Sequence, residues 1–189
     1  MKRLHTLWAF FLILGMVFLP TLSQAYNSAT HIYIADRIFP HSLDKINLHY
    51  GAIAPDIYLY ANPTKWQNGF CETHYKFIKL PYIWWNLSQK AFAQGWQIHN
   101  EIWGIDYYAH GTCLSCSDLN TCQYNGYVPT HADSLSENFP LLKNYPDLAH
   151  FAIEVAIDLL LVNEKDLTLG KKLLNASLFR SPSNFNLLI

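Results

Sequence analysis

His150-Phe151-Ala152-Ile153-Glu154 sets an imidazole and a carboxylate four residues apart, on one face of a helix and one turn from each other. This is the spacing with which one helix offers two ligands to one metal ion, and Asp158 continues the same face. A second set, His99, Asp106 and His110, is separated by seven and then four residues. Both separations are near whole helical turns, so the three side chains can share a stripe despite Gly104 between them. That stripe points into a core lined by Trp96, Ile98, Ile102 and Trp103. An unpaired carboxylate and two imidazoles are costly in such surroundings, and ligation of a metal removes the cost. Each signal has a plainer reading. A lone helical His-x-x-x-Glu pair is usually a surface contact, His74 also reads as a loop histidine, and His41, His49 and His131 read as ordinary ones. What favours a metal is the recurrence of independent pairs on otherwise apolar segments of a chain with 14% charged residues.

The elements that must position these groups are helical. Apolar residues Ile32, Ile34, Ala35 and Ile38 predict a first helix over Tyr26–Ile38, with Thr30 able to cap it and Pro40 ending it. Gly51-Ala52-Ile53-Ala54-Pro55-Asp56 reads as a turn into a polar connection that Asn62-Pro63 prolongs. Residues 71–80 fit a short helix. Ser88 to about Ala109 is the longest periodic stretch and predicts one long buried helix. Gly111–His131, rich in Cys, Gly, Asn, Ser and Thr, reads as a loop, while Leu148–Leu161 and Leu167–Leu178 are the last two helices. No run alternates well enough for a sheet, so the expected class is all-α, a single-domain helical bundle.

The first residues, Met1-Lys2-Arg3, precede an apolar run from Leu7 to Leu19 and then Leu22-Ser23-Gln24-Ala25. A basic start, a short apolar core and small residues at the third and last positions before a cut describe a signal peptide over residues 1–25. The run falls short of the roughly 17 to 25 residues that a spanning helix needs. Residues 26–189 are then one exported domain, secreted or periplasmic. Formal net charge over the whole chain is −1, and removing Lys2 and Arg3 leaves the mature part mildly acidic. That argues against a stable nucleic-acid partner held by phosphate neutralisation. Cys71, Cys113, Cys116 and Cys122 remain after cleavage. In an exported chain an even set favours disulfides over a zinc ribbon, whose second CxxC half is absent, and three pairings stay open.

In order, the residues around the histidines resemble the zinc-dependent phospholipase C family, whose fold is shared with single-strand-specific fungal zinc nucleases. The matching pieces are Thr30-His31, Gly51-Ala52-Ile53-Ala54-Pro55-Asp56, Thr73-His74-Tyr75, Ala93-Gln94-Gly95-Trp96-Gln97-Ile98-His99 and His150-x-x-x-Glu154. They cover roughly residues 26 to 160. The resemblance implies an all-α fold around three zinc ions, with the amino group and carbonyl of the first mature residue among the ligands. Only cleavage after Ala25 frees an amine at Tyr26. Carried over residue by residue, Tyr26 and His31 hold one zinc, Asp56, His74 and His99 a second, and His110, His150 and Glu154 a third. The family usually has an aspartate one turn after the position of His99, where this chain has Trp103. Asp106 stands in for it and bridges two of the zincs. The first mature residue of the family is commonly Trp, and here it is Tyr26, a change that ligation by backbone atoms tolerates.

The activity so implied is hydrolysis of phosphoric diester bonds by a zinc-activated water, with Asp56 as the catalytic group that orients or deprotonates it. A phospholipid is the expected substrate, the aromatic residues offering interfacial membrane contact, and the expected state is a monomer. Two other readings stay open. One is a single-strand-specific nuclease on the same metal site, with Trp and Tyr stacking bases. The other is a non-catalytic zinc-binding envelope protein.

Overall fold

The computed structural model describes residues 27–61, 69–75, 80, 82–113, 118–182 and 184. The expected signal peptide, Tyr26, Asn62-Pro63 and Cys116 lie outside the described residues. The fold is helical, with one small strand pair. Helix α1 is Ser28–Ile38 and α2 is Lys45–Ala61; a π-helical turn spans Cys71–Tyr75; α3 is Leu87–Ile98 and α4 is Ile105–His110. Strands Thr112–Cys113 and Cys122–Gln123 pair antiparallel. Helix α5 is Tyr127–Asn138, α6 is Pro146–Glu164 and α7 is Leu169–Phe179. No helix among the described residues is long and apolar enough to cross a membrane.

The centre of the bundle is the close pair α2 and α3. A Cβ on Gly51 would lie 2.1 Å from the Phe92 carbonyl oxygen, and one on Gly95 would lie 2.1 Å from that of Leu48. The two glycines therefore let two helix backbones touch. This corrects the reading of Gly51–Asp56 as a turn: α2 runs through the segment and carries Pro55 in its interior. Burial of Leu48, Ala52, Ile53 and Ala54 offsets the hydrogen bond that the proline removes. Around this pair, Ile32, Ile53, Phe92, Trp96 and Leu169 form one core cluster, and Ala35, Leu48, Ala91, Ile98 and Ile105 a second.

Three further expectations are corrected. The long helix over Ser88–Ala109 is two helices. Asn86 caps α3 by accepting from Gln89 N–H at 3.1 Å, and the helix stops at His99. There Asn100 Oδ1 accepts from the N–H groups of Ile102, Trp103 and Gly104 at 2.9, 2.9 and 3.2 Å, giving the backbone an alternative to helical pairing. Gly104 is needed at this turn, because a Cβ would sit 2.4 Å from the Ile98 carbonyl oxygen. The region read as loop up to His131 contains the start of α5. Gly126 is the N-cap at its start, and Pro129 is no breaker; proline in a first helical turn removes a donor that has no partner there anyway. Thr30 lies inside α1 and is not its cap. The first-turn donors of α1 are instead taken by Asp158 of α6, which accepts from Ala29 N–H at 3.2 Å, Thr30 N–H at 2.9 Å and the Thr30 hydroxyl at 2.6 Å. Cys71 and Cys122 are disulfide-bonded.

Candidate metal centre

Six elements deliver eight side chains to one buried region. Helix α1 brings His31, α2 Asp56, the π turn His74, the C-terminal cap of α3 His99, α4 Asp106 and His110, and α6 His150 and Glu154. The ligand atoms fall into three groups: His31, His99 and Asp106; Asp56, His74 and His99; and His110, His150 and Glu154. Within each group they lie within 4.8 Å of one another. Of the nine residues expected to ligate from the sequence, these eight converge, and Tyr26 lies outside the described residues. His99 and Asp106 meet across the Asn100 turn rather than along a continuous helical stripe.

The outward ring nitrogens fix which atoms face inward. His99 Nδ1 donates to the Ala52 carbonyl at 2.8 Å, and His31 Nδ1 to the Asn27 carbonyl at 3.3 Å. The Thr73 hydroxyl spends its proton on the Gly69 carbonyl at 2.9 Å, so it must accept from His74 Nδ1 at 2.6 Å. With Nδ1 so engaged, each ring turns its Nε2 toward the centre, the orientation that outer partners impose on metal-binding histidines. There His99 Nε2 and His74 Nε2 are 3.1 Å apart, and His150 Nε2 and His110 Nε2 are also 3.1 Å apart. Asp106 spans two groups. Its Oδ1 lies 3.3 Å from His31 Nε2, and its Oδ2 lies 3.2 Å from His74 Nε2 and 3.1 Å from His99 Nε2. Asp56 Oδ1 is 3.5 and 3.3 Å from the same two nitrogens. Despite this proximity, Asp56 Oδ1 and Asp106 Oδ2 are buried with no hydrogen-bond partner. Lone pairs facing lone pairs in a dry core are repulsive unless a cation sits among them. The buried clusters can hold metal ions, and their imidazole and carboxylate donors fit that task.

Electrostatics carry the same signature. Burial works to raise Asp56 and Asp106, yet the neighbouring histidines, His99 foremost, outweigh it and hold both well below the usual carboxylate range. In return, burial pulls His99 down but Asp106 and Asp56 lift it well above the ordinary histidine value. The two carboxylates thus draw positive charge to the inner face of His99, as a proton or as a metal. His74 is lowered, chiefly by burial. In the third group burial pushes His110 down to about 3, and burial with the field of Asp56 and Asp106 pushes Glu154 up to about 10. They approach to 3.3 Å, two groups whose charged forms burial disfavours.

Two residues around the centre escape a reading of spacing alone. Glu101 is buried, accepts from the Tyr75 hydroxyl at 2.5 Å and is raised to about 8 by burial and by Asp106. Its backbone N–H also donates to the His74 carbonyl at 2.9 Å, tying the π turn to the loop between His99 and Asp106. The signal was an acid placed inside an apolar, Trp-rich stretch. Asp158 does continue the His150–Glu154 face, but it anchors the first turn of α1 instead of ligating. Of the histidines read as ordinary, His41 and His131 are exposed, and His49 pairs with Asp36 at 2.9 Å. Compared with known proteins, the chain matches no family model, no curated protein and no solved structure.

Proposed function

We propose that the chain is an exported zinc-dependent phosphodiester hydrolase, a phospholipase C acting on phospholipid headgroups. The observation that carries the reading is Asp106, fully buried, with its two oxygens turned to different groups of histidine nitrogens. A carboxylate so placed is suited to bridge two metal ions, and paired ions are the usual apparatus for in-line displacement at phosphorus. All-imidazole and carboxylate donors with no thiolate suit zinc. Bound zinc supplies Lewis acidity and makes a nucleophilic water available at neutral pH.

The protein's own residues do the rest. His31, His74 and His99 are each locked by an outward Nδ1–H bond, so the inward nitrogens need no rearrangement on binding. Asp56 keeps 11% of its side chain exposed and His150 20%, whereas those of His31, His99 and Asp106 have none. Substrate and water therefore reach the centre past Asp56 and His150. Asp56, held ionised by the histidines, is the group at that entrance that can orient a water by accepting its hydrogen bond. The amine and carbonyl of Tyr26, freed by cleavage after Ala25, are the ligands that the resemblance implies for the His31 end of the centre.

The test is elemental analysis of naturally exported protein, its N-terminus checked by mass spectrometry, followed by assays on phosphatidylcholine and on a dinucleotide. About three zincs per chain with phosphatidylcholine cleaved to diacylglycerol is the expected result. Dinucleotide cleavage without lipid cleavage would assign the centre to a nuclease, and zinc with no hydrolysis to a non-catalytic zinc-binding protein.

A further inference from the structure

The segment entering α3 reads Tyr82-Ile83-Trp84-Trp85-Asn86-Leu87, and all but Asn86 are large apolar residues left in solvent, Trp84 at 74% and Trp85 at 66% exposure. The backbone that carries them is fixed. Asn86 N–H donates to the Ile83 carbonyl at 2.8 Å, Ile83 N–H donates to Gln89 Oε1 at 3.1 Å, and Asn86 Oδ1 caps α3. The two indoles also brace one another edge to face, with centroids 5.2 Å apart. Two tryptophans are thus held outward by a capped helix start. A contiguous exposed apolar patch of this kind marks an interaction site.

The patch continues along one face of α3. Leu87, Lys90, Ala91 and Gln94 line a cavity of about 360 Å³ against the end of α1. Further along, Gln97 and Ile98 line a second, of about 520 Å³, with Trp103 and Tyr108. The two share Ile38 and Phe39, so they form one trough. Its far end is built from Ile98 and Ile105, the neighbours of His99 and Asp106. The lining of the second cavity is overwhelmingly apolar. From Pro81 to Asn100 the sequence has no acidic residue and one lysine, the exposed Lys90. The one carboxylate on the trough, Asp44, is engaged by Asn47 and Ser88 at 2.7 to 3.0 Å.

We infer that this face, from Trp84–Trp85 to Trp103–Tyr108, docks on a lipid bilayer surface. Trp and Tyr are the residues whose amphipathic rings settle at the headgroup level. A lysine with a long apolar stem reaches lipid phosphate from beside them. The first cavity adds polar groups beside that lysine, His41, Ser42 and Gln94, which suit the headgroup level, while the apolar second cavity suits the acyl boundary. The inference rests on the phospholipid reading in that it brings the metal centre to its substrate at a surface, but the two fail separately.

The test uses the metal-loaded mature chain and vesicles of phosphonate analogues of phosphatidylcholine and phosphatidylglycerol in equal parts, in which a methylene replaces the glycerol oxygen on phosphorus so that nothing is hydrolysed. Wild type sediments with the vesicles, and W84S/W85S, exposed positions whose replacement leaves the core intact, partitions at least about tenfold more weakly. A second assay gives the metal-loaded proteins a short-chain phospholipid below its micelle concentration, where no surface is needed. The double variant there keeps wild-type rates, and on vesicles of the parent phospholipids it loses them. Equal vesicle partitioning of wild type and variant overturns the docking face. So does a wild-type dimer in sedimentation that the variant abolishes, which would assign the patch to a second copy of the chain. Vesicle binding without any hydrolysis would leave the docking face standing and sink the phospholipase reading alone.

Discussion

Helix α1 carries His31 into the candidate metal centre and, little more than a turn later, Asp36 into a second polar cluster, and the two clusters are built on opposite terms. Around Asp36 every contact joins opposite partners: Lys45 and His49 reach one carboxylate oxygen at 2.9 Å each, and Lys172 reaches the other at 2.7 Å while also holding Asp166 at 2.6 Å. Donors meet acceptors and charge is close to balanced. In the centre, acceptor meets acceptor, with ring nitrogens 3.1 Å apart and two buried carboxylate oxygens without hydrogen bonds. Both clusters contain a buried histidine on or beside a helix, His49 in one and His99 in the other. The difference shows that buried ionisable groups alone do not mark a functional site; what marks one is a set that its own atoms cannot satisfy.

Substitution at the two aspartates separates the clusters most sharply. Asp106→Asn keeps the shape of the side chain and removes the charge that faces two ligand groups. It is expected to lower kcat/KM by about a thousandfold and to reduce metal content, with a native circular dichroism spectrum. Asp36→Asn should leave zinc content and kcat/KM at wild-type levels. If Asp106→Asn retains full metal and activity, the bridging role assigned to Asp106 is wrong.

The next effect in size concerns Tyr26. A chain that keeps one residue before Tyr26 has its amine one peptide unit away from the predicted ligand position. It should bind one zinc fewer, and activity should fall by up to about a hundredfold. Unchanged stoichiometry would remove the N-terminal amine from the ligand set and leave His31 and Asp106 to define that end of the centre.

How much of this was legible in the sequence depends on whether the signal was local. His150 and Glu154 sit on one uninterrupted helix, and their spacing alone placed them together. His31, Asp56 and His74 come from three elements, and only the ordered resemblance to a family joined them, since spacing says nothing about which helices pack. The errors have a common origin. Gly51 and Pro55 read as local punctuation, whereas Gly104 reads as an incident within a continuous helix. Gly51 instead serves a contact with a helix forty residues away in sequence, and Pro55 is carried by the burial around it, so tertiary packing overrode local propensity. The break after His99 was hidden for the converse reason. Apolar periodicity runs on through Ile102, Trp103 and Ile105, while the group that ends the helix is one polar side chain, Asn100.

Asp158 tests whether support of the centre can be separated from ligation. It takes three hydrogen bonds from the first turn of α1, next to His31, and sits one turn beyond Glu154. Asp158→Asn should weaken zinc binding by about tenfold at the site involving His31, seen as a shifted chelator titration, and leave the His110, His150 and Glu154 site unaltered. Equal weakening of all sites would mean that Asp158 holds the fold in general rather than the N-terminal end of the centre.

The smallest effect belongs to Asp36, and pH exposes it. Burial acts to raise this carboxyl, but His49, Lys172 and Lys45 outweigh it, so its pKa in the folded protein lies below that of the unfolded chain. A group depressed in this way stabilises the fold above its unfolded pKa, near 3.9 for aspartate, and the stabilisation fades as pH falls below that value toward the folded pKa. The side chains of Asp36, Lys45 and Lys172 are 18 to 35% exposed, so solvent screening limits the contribution to about 1 kcal/mol. Urea unfolding of wild type and Asp36→Asn should differ by that amount at pH 7, and the two curves should converge as the pH drops below about 4. A gap that persists in acid would show that the substitution acts through packing instead of charge. The contrast with the centre would then rest on the orphaned oxygens of Asp56 and Asp106 alone.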